Sequence, residues 1–167
     1  MDKKATFIAA IKNNEGLIFK VASIYTNSVE DRNDLVQEII YQLWKSFESF
    51  NQQSSFSTWM YRVAMNVAIY QLKTSKRRIK TVPIEQVVID IHDSDSSEWE
   101  EKWQIFRQQI DNLNVLDKAI VMLYFENKSY DDIAEIIGIS VSNVGTKISR
   151  IKEKLKVQIS KQEKLWN

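Results

Sequence analysis

The 167-residue chain has no cysteine, one histidine, one proline and three glycines. Without cysteine it can form neither a disulfide nor a thiolate metal site, and one histidine cannot supply a histidine-based metal centre. Scarce glycine and proline disfavour architectures built from strands and tight turns, whereas the abundant leucine, isoleucine, lysine, glutamate and glutamine favour helices. The composition therefore predicts an all-α fold.

Long apolar runs are also missing. No stretch approaches the roughly 20 apolar residues of a membrane-spanning helix, and the start, MDKKATFIAA, lacks a sufficiently long apolar core for a signal peptide. We therefore expect a cytoplasmic protein without membrane insertion. A phosphate-binding glycine loop and a hydrolase signature are absent too, so we expect neither a cofactor nor enzymatic activity.

Charge is unevenly distributed along the chain, although the formal net charge is only +1. No carboxylate occurs from Ser49 to Ile84, and this stretch contains six basic residues between Arg62 and Lys80. The segment from Glu85 to Glu101 then has seven acidic residues and no basic one. Segregated charge indicates the kind of partner, and the basic segment predicts an anionic one.

Apolar residues before Asn33 recur at intervals of three and four, with a break between Asn13 and Gly16, which predicts two short helices. A third helix is expected from Asp34, which can act as its N-cap, with Gln37 three residues later as in a capping box. The predicted buried stripe of this helix is Leu35, Ile39, Leu43 and Phe47.

Ser55 or Ser57 can cap a fourth helix, which contains the sequence TWMYRVAMNVAIYQLK. Its predicted core-facing residues are Phe56, Trp59, Val63, Val67 and Leu72. Pro83 ends this unit, and the following DIHDSDSSEWEE is typical of a linker. We therefore expect a helical domain over residues 1–80, an acidic flexible linker over 81–100 and a second helical domain over 101–167.

The second domain contains SYDDIAEIIGISVSNVGTKISRIKEKL, whose layout predicts a helix-turn-helix. Ser129 can cap its first helix, Gly138 can form the turn and Ser140 can cap its second helix. Val144, Ile148, Ile151 and Leu155 form the buried stripe of that second helix. The opposite face carries amide, hydroxyl and cationic groups, as a helix entering a DNA major groove requires.

Two stretches of the chain resemble a known family. DLVQEIIYQLWKSF, followed by SSFSTWMYRVAMNVAIYQLKTSKRR, resembles region 2 of bacterial sigma factors. LNVLDKAIVMLYFENKSYDDIAEIIGISVSNVGTKISRIKEKL resembles their region 4. The two regions occur in the family's order and cover nearly the whole chain, so the chain resembles an extracytoplasmic-function sigma factor. The resemblance implies a transcription initiation factor that binds core RNA polymerase, promoter DNA and an anti-sigma factor.

The resemblance also implies roles for individual residues in three groups. The residues expected to bind core polymerase are Asp34, Gln37, Glu38 and Trp44. Those expected to hold the −10 element, with Asn66 lining the pocket for an unstacked base, are Trp59, Arg62, Asn66, Lys73, Lys76, Arg77 and Arg78. Those expected to contact the −35 element are Ser142, Asn143, Thr146, Lys147 and Arg150.

Two residues depart from the family pattern: Gly145, where a basic residue is frequent, and Asn114, where proline often follows leucine. Structural roles also remain open for some of the named residues. Trp59 can serve packing, and Asp34 and Glu38 can simply favour the start of a helix. Two other functions are compatible with parts of the chain, namely a self-sufficient helix-turn-helix regulator and a helical adaptor that binds only proteins.

Overall fold

The computed structural model describes residues 2–74 and 104–166, apart from the side chains of residues 159 and 162–166. All regular secondary structure in these ranges is helical, so the predicted all-α class is confirmed. The chain divides into two compact units, Met1–Asp93 and Ser94–Asn167. The predicted linker, residues 81–100, and the basic residues Lys76, Arg77 and Arg78 lie outside the described residues.

The first unit begins with two short helices, α1 (Lys3–Asn13) and α2 (Glu15–Ile24), as predicted. Asp2 caps α1 by accepting a hydrogen bond from the Lys4 N–H. Asn14 lies between the two helices, and its non-helical backbone angles end α1. Helix α3 (Val29–Ser46) follows, then a short 3₁₀ turn (Phe47–Ser49) and helix α4 (Phe56–Thr74). Helices α2, α3 and α4 pack against one another around the core of this unit.

Helix α3 starts six residues earlier than an N-cap at Asp34 would place it. Its N-cap is Ser28, whose Oγ accepts a hydrogen bond from the Asp31 N–H at 3.1 Å. The prediction of an N-cap at Asp34 is therefore wrong, because Asp34 lies in the second turn. Ser28 has the extended backbone of an N-cap, and Glu30 and Asp31 place negative charge in the first turn, where the helix dipole favours it.

Helix α4 buries a different face from the predicted one. Its predicted cap is confirmed, since the Ser55 Oγ accepts a hydrogen bond from the Thr58 N–H at 3.2 Å. However, the predicted inward stripe is only half-buried at Phe56, Trp59, Val63 and Val67, and Leu72 is exposed. The core face is instead formed by Met60, Tyr61, Ala64, Met65 and Ala68. Alanines one turn apart let α4 pack closely on α2 and α3, and Phe56 and Trp59 lie at the margin of this core.

In the second unit, residues 104–110 are helical and are designated α5. Helices α6 (Val115–Phe125), α7 (Tyr130–Ile137) and α8 (Val141–Trp166) follow and pack against one another. Asn114, one of the departures from the family pattern, is the N-cap of α6, because its Oδ1 accepts a hydrogen bond from the Asp117 N–H at 2.8 Å. Asparagine therefore supplies a cap at the position where proline is frequent.

The helix-turn-helix signals in the sequence are confirmed. The Ser129 Oγ accepts from the Asp132 N–H, and the Ser140 Oγ accepts from the Asn143 N–H, both at 3.1 Å. Gly138 ends α7 with a φ of 84°, in the left-handed region that favours glycine. The predicted stripe is fully buried at Val144, Ile148 and Ile151 and half-buried at Leu155.

Gly145 lies within α8, where a side chain would fit. A Cβ atom there would lie 3.6 Å from Tyr130 Cε2, which is an ordinary van der Waals contact. Gly145→Ala should therefore raise the free energy of unfolding of the second unit by about 1 kcal/mol, because alanine is the better helix former. Thermal unfolding of the full chain, followed by circular dichroism, measures the change.

Gly138→Ala is the matched control, since it adds the same methyl group in the same motif. Space is also available there, but the φ of 84° is unfavourable for any residue with a Cβ. We expect this variant to lose about 1–2 kcal/mol. A loss of stability in Gly145→Ala would contradict the described packing of α8 on Tyr130.

Candidate nucleic-acid interface

One side of α4 is turned away from the core and carries the residues predicted to bind DNA. Steps of three or four residues return to the same side of a helix with 3.6 residues per turn. This α4 stripe comprises Trp59, Arg62, Asn66, Tyr70 and Lys73. It lies opposite the buried alanines and contains no carboxylate, so it can approach a phosphate backbone without repulsion.

Asn66 occupies the middle of the α4 stripe. Its side chain is exposed, and it makes no hydrogen bond within the described part of the chain. An amide offers both a donor and an acceptor, which is what the polar edge of a base requires. The structure therefore leaves this amide available for an external partner.

Tyr70, one turn beyond Asn66, was not predicted as a site residue. Its exposed fraction is 68%, whereas Tyr61 on the opposite side of α4 is buried. The sequence contained a signal for it, namely the spacing of four residues from Asn66. An exposed phenol ring beside a free amide is suited to stacking on an unpaired base.

Trp59, at the start of the α4 stripe, is part of an aromatic cluster. Its ring centroid lies 5.2 Å from that of Phe50 and 5.4 Å from that of Phe56. Phe56 also contacts the ring of Phe47 edge-on at 6.4 Å. These contacts fix the connection between α3 and α4, so Trp59 has a packing role, and the more exposed part of the stripe begins after it.

The residues predicted to bind polymerase lie on α3, where Asp34, Gln37 and Glu38 share a face away from the core. Asp34 and Gln37 are exposed, and Glu38 is half-buried with its Oε1 accepting a hydrogen bond from the Gln42 side chain at 3.1 Å. This face is therefore polar and accessible within the first unit, as a docking surface requires.

Trp44 lies at the edge of that face and is engaged within the unit. Its ring contacts Phe7 edge-on with centroids 5.0 Å apart, and the Lys3 ammonium lies 4.6 Å from its ring centroid. Lys3 also pairs with Glu48 at 2.8 Å, and this hydrogen bond lowers the pKa of the exposed Glu48 carboxyl. Trp44 therefore holds α1 against α3.

In the second unit, the exposed side of α8 carries most of the residues predicted to contact the −35 element. Ser142, Asn143, Thr146 and Arg150 are all exposed. The Thr146 hydroxyl donates to the Ser142 carbonyl at 3.2 Å, which leaves its oxygen able to accept. Arg150 forms no ion pair with any residue in the described ranges, so its guanidinium is available for a phosphate or a guanine edge.

Lys147 differs from the other four residues predicted to contact the −35 element, because it lies at the boundary between the exposed side and the buried stripe of α8. Its Nζ is 3.6 Å from Oδ1 of Asp117, the third residue of α6. This pair could not be predicted from the sequence, since the two residues are far apart in the chain and helical periodicity does not connect them.

In residues 2–74 and 104–166 there is no group of three or more His, Asp or Glu side chains that could hold a metal ion. No helix within those same ranges combines the length and the apolar character needed to cross a membrane.

Comparison with known proteins places both units in one family. Residues 10–78 match the family model Sigma-70 region 2, and residues 103–155 match the family model Sigma-70, region 4. The chain is 36% identical to the ECF RNA polymerase sigma-E factor of Haemophilus influenzae, over 84% of this chain and 82% of that protein. It is 26% identical to the RNA polymerase sigma factor SigV of Bacillus subtilis, over 96% and 95% of the two chains.

Two solved structures have a similar fold. CnrH, in complex with the cytosolic domain of CnrY, gives a TM-score of 0.69 with 16% identity over 95% of this chain and 90% of that one. The sigma factor RpoE of Bartonella quintana, in complex with the anti-sigma factor NepR, gives 0.70 with 19% identity over 93% and 97%. With a family model matched to each unit and a relative 36% identical over most of both proteins, the chain belongs to the sigma-70 family of bacterial transcription initiation factors, in its extracytoplasmic-function group.

Proposed function

We propose that this promoter-specificity factor opens its promoters with the α4 stripe and anchors itself upstream with α8. The observation that carries the proposal is the juxtaposition of a free amide, Asn66, with an exposed ring, Tyr70, on a helix face without carboxylates. In this proposal Asn66 receives an unstacked nontemplate base of the −10 element, and Tyr70 stacks on that base or its neighbour.

The energies of these contacts suit promoter opening without ATP. Separating bases costs stacking of about 1.4 kcal/mol per base-pair step. Stacking on an aromatic side chain returns about 1–3 kcal/mol per base, and a pocket amide adds hydrogen bonds to the polar edge of a flipped base. A single ring and a single amide can therefore offset the opening of one or two steps.

Cations along α4 provide the part of DNA binding that does not depend on base sequence. Arg62 and Lys73 belong to the α4 stripe, and Lys73 is exposed in the last turn. The predicted contributions of Lys76, Arg77 and Arg78 continue this basic run in the sequence. Contacts to phosphates fix the register of the protein on DNA but carry no sequence information.

Core RNA polymerase binds, in this proposal, to the polar face of α3 formed by Asp34, Gln37 and Glu38. Trp44 acts as a positioning residue, because its ring is covered by Phe7 and Lys3 and holds α1 in place. This assignment separates the polymerase face on α3 from the DNA stripe on α4.

The helix-turn-helix reads the −35 element with the exposed side of α8. Ser142, Asn143 and Thr146 lie in its first two turns, which is the part of a recognition helix that contacts base edges. Arg150 follows one turn later and contacts a phosphate or a guanine. In the sequence, the acidic segment 81–100 joins the two units that we propose bind DNA. Such a connection makes the second binding event intramolecular.

An anti-sigma factor is proposed as the regulatory partner, since one similar structure is a sigma factor bound to an anti-sigma factor. A cytoplasmic location and the absence of enzymatic activity complete the proposal. The membership of the chain in a family of transcription initiation factors supports both.

Reconstituted transcription tests the function directly. Core polymerase, the chain and a library of genomic fragments should yield transcripts whose start sites share two upstream elements. A self-sufficient regulator would instead bind duplex DNA tightly without core polymerase, and a protein-binding adaptor would yield no transcripts. Either result with folded protein would contradict the proposal.

Asn66→Ala should reduce open-complex formation by about 1–3 kcal/mol, which is roughly 5- to 150-fold, because the flipped base loses its hydrogen-bonding partner. Permanganate reactivity of unpaired thymines in promoter DNA measures the opening. Binding to core polymerase should stay unchanged. Asn112→Ala, at an exposed asparagine of the second unit, is the matched control, and an equal loss of core binding in Asn66→Ala would refute the role.

Replacements of Tyr70 distinguish stacking from hydrogen bonding. Tyr70→Phe keeps the ring and should open promoters as the natural chain does. Tyr70→Ala removes the ring and should lose about 1–3 kcal/mol of open-complex stability. Competitor-challenge lifetimes of open complexes measure both. Equal losses in the two variants would assign the effect to the hydroxyl and rule out stacking.

A further inference from the structure

We infer that Asp117 is a positioning residue that holds Lys147 against α6 and thereby keeps this lysine away from DNA. The inference rests on the proposed function of α8 as the −35 reader. It assigns a role to Asp117, and it removes Lys147 from the set of residues that contact the promoter.

The geometry of the pair supports this assignment. The Asp117 carboxylate is nearly buried, with 10% of its side chain exposed, and its Oδ1 accepts no hydrogen bond from the residues that the structure describes. The Lys147 ammonium at 3.6 Å is therefore the charge that compensates this oxygen. Only 26% of the Lys147 side chain is exposed, although a lysine on a DNA-binding face would normally extend into solvent.

Leaving the pair for a phosphate would be unfavourable for Lys147. Its departure would strand a buried carboxylate, and an unpaired buried charge is strongly destabilising. Arg150, one turn along α8, has no such competing partner within the described ranges. The two cations are thus neighbours in the recognition helix, but only Arg150 is available to DNA.

A purely structural role for Asp117 is the main alternative. As the third residue of α6 it places negative charge in the first turn, where the helix dipole favours it. That role alone would make the chain less stable on substitution, but it would not change the number of phosphates that the chain contacts. The salt dependence of DNA binding separates the two roles, because its slope reports that number.

The experiment uses the full chain bound to core polymerase and a fluorescent duplex. The duplex carries only the upstream element of a promoter found by the transcript mapping described above, so it cannot be melted. Dissociation constants are measured between 50 and 200 mM KCl for the natural chain, Arg150→Gln, Lys147→Gln, Asp117→Asn and the double variant Asp117→Asn with Lys147→Gln. Thermal unfolding confirms that each variant is folded at the assay temperature.

Arg150→Gln should flatten the slope of log K against log salt by about 0.9, the value for one phosphate contact. Lys147→Gln should leave the slope unchanged and lower the unfolding temperature. Asp117→Asn, which is isosteric but uncharged, should release Lys147 and steepen the slope by about 0.9, or about 3.5-fold in affinity across that salt range. The double variant should return to the natural slope, because the released lysine is then absent.

Three results would overturn the inference. If Asp117→Asn folds and leaves the slope unchanged, Asp117 has only a structural role in α6, and the inference fails while the proposed function stands. If Lys147→Gln flattens the slope as much as Arg150→Gln does, Lys147 contacts DNA, and the inference fails while the proposed function stands. If Arg150→Gln leaves the slope unchanged, this side of α8 does not contact DNA, and the proposed role of α8 fails together with the inference. Should Asp117→Asn not fold, the comparison of Lys147→Gln with Arg150→Gln decides the question alone.

Discussion

Burial of the α4 face that carries small residues determines which side chains of this helix are exposed in the first unit. Ala64 and Ala68 are fully buried, and they allow close contact with α2 and α3. Once that face is inside, the helical period places Asn66 and Tyr70 outside on the same side. A bulky residue at either alanine would push α4 away from its neighbours and rotate the stripe. The interior of the unit therefore sets the orientation of the groups that we propose bind DNA.

The aromatic side chains of this unit fall into two groups with different tasks. Trp59, Phe50 and Phe56 contact one another and hold the chain between α3 and α4. Aromatic pairs of this kind contribute about 0.5–1.5 kcal/mol beyond the area they bury. Tyr70 lies on the same helix face as Trp59 but outside this cluster, and it is mostly exposed. The aromatics at the start of α4 therefore serve packing, whereas Tyr70 near its end faces solvent.

In the second unit, helix α8 carries both cations that make contacts within the unit and a cation that faces outward. Lys147 compensates the buried carboxylate of Asp117, and Arg150 one turn later faces outward. Lys152 is different again, since its ammonium lies 4.7 Å from the ring centroid of Tyr124 and its pKa is raised by a hydrogen bond to that residue. A count of basic residues on α8 therefore overstates the charge available to DNA.

Local signals in the sequence determined the helical class, the helix-turn-helix and the family. Ser129, Gly138 and Ser140 act through contacts within three or four residues, so they could be recognised without a structure. The start of α3 at Ser28 was also a local signal, but a second capping pattern at Asp34 competed with it.

Other features depended on the tertiary structure. Helical periodicity shows that α4 has an apolar side, but only packing against α2 and α3 selected Ala64 and Ala68 over Trp59 and Val63. The pairing of Lys147 with Asp117 arises because the fold brings α6 and α8 together. The sequence fixes which groups each helix carries, whereas contacts between distant residues decide the rotation of each helix and the partner of each charge.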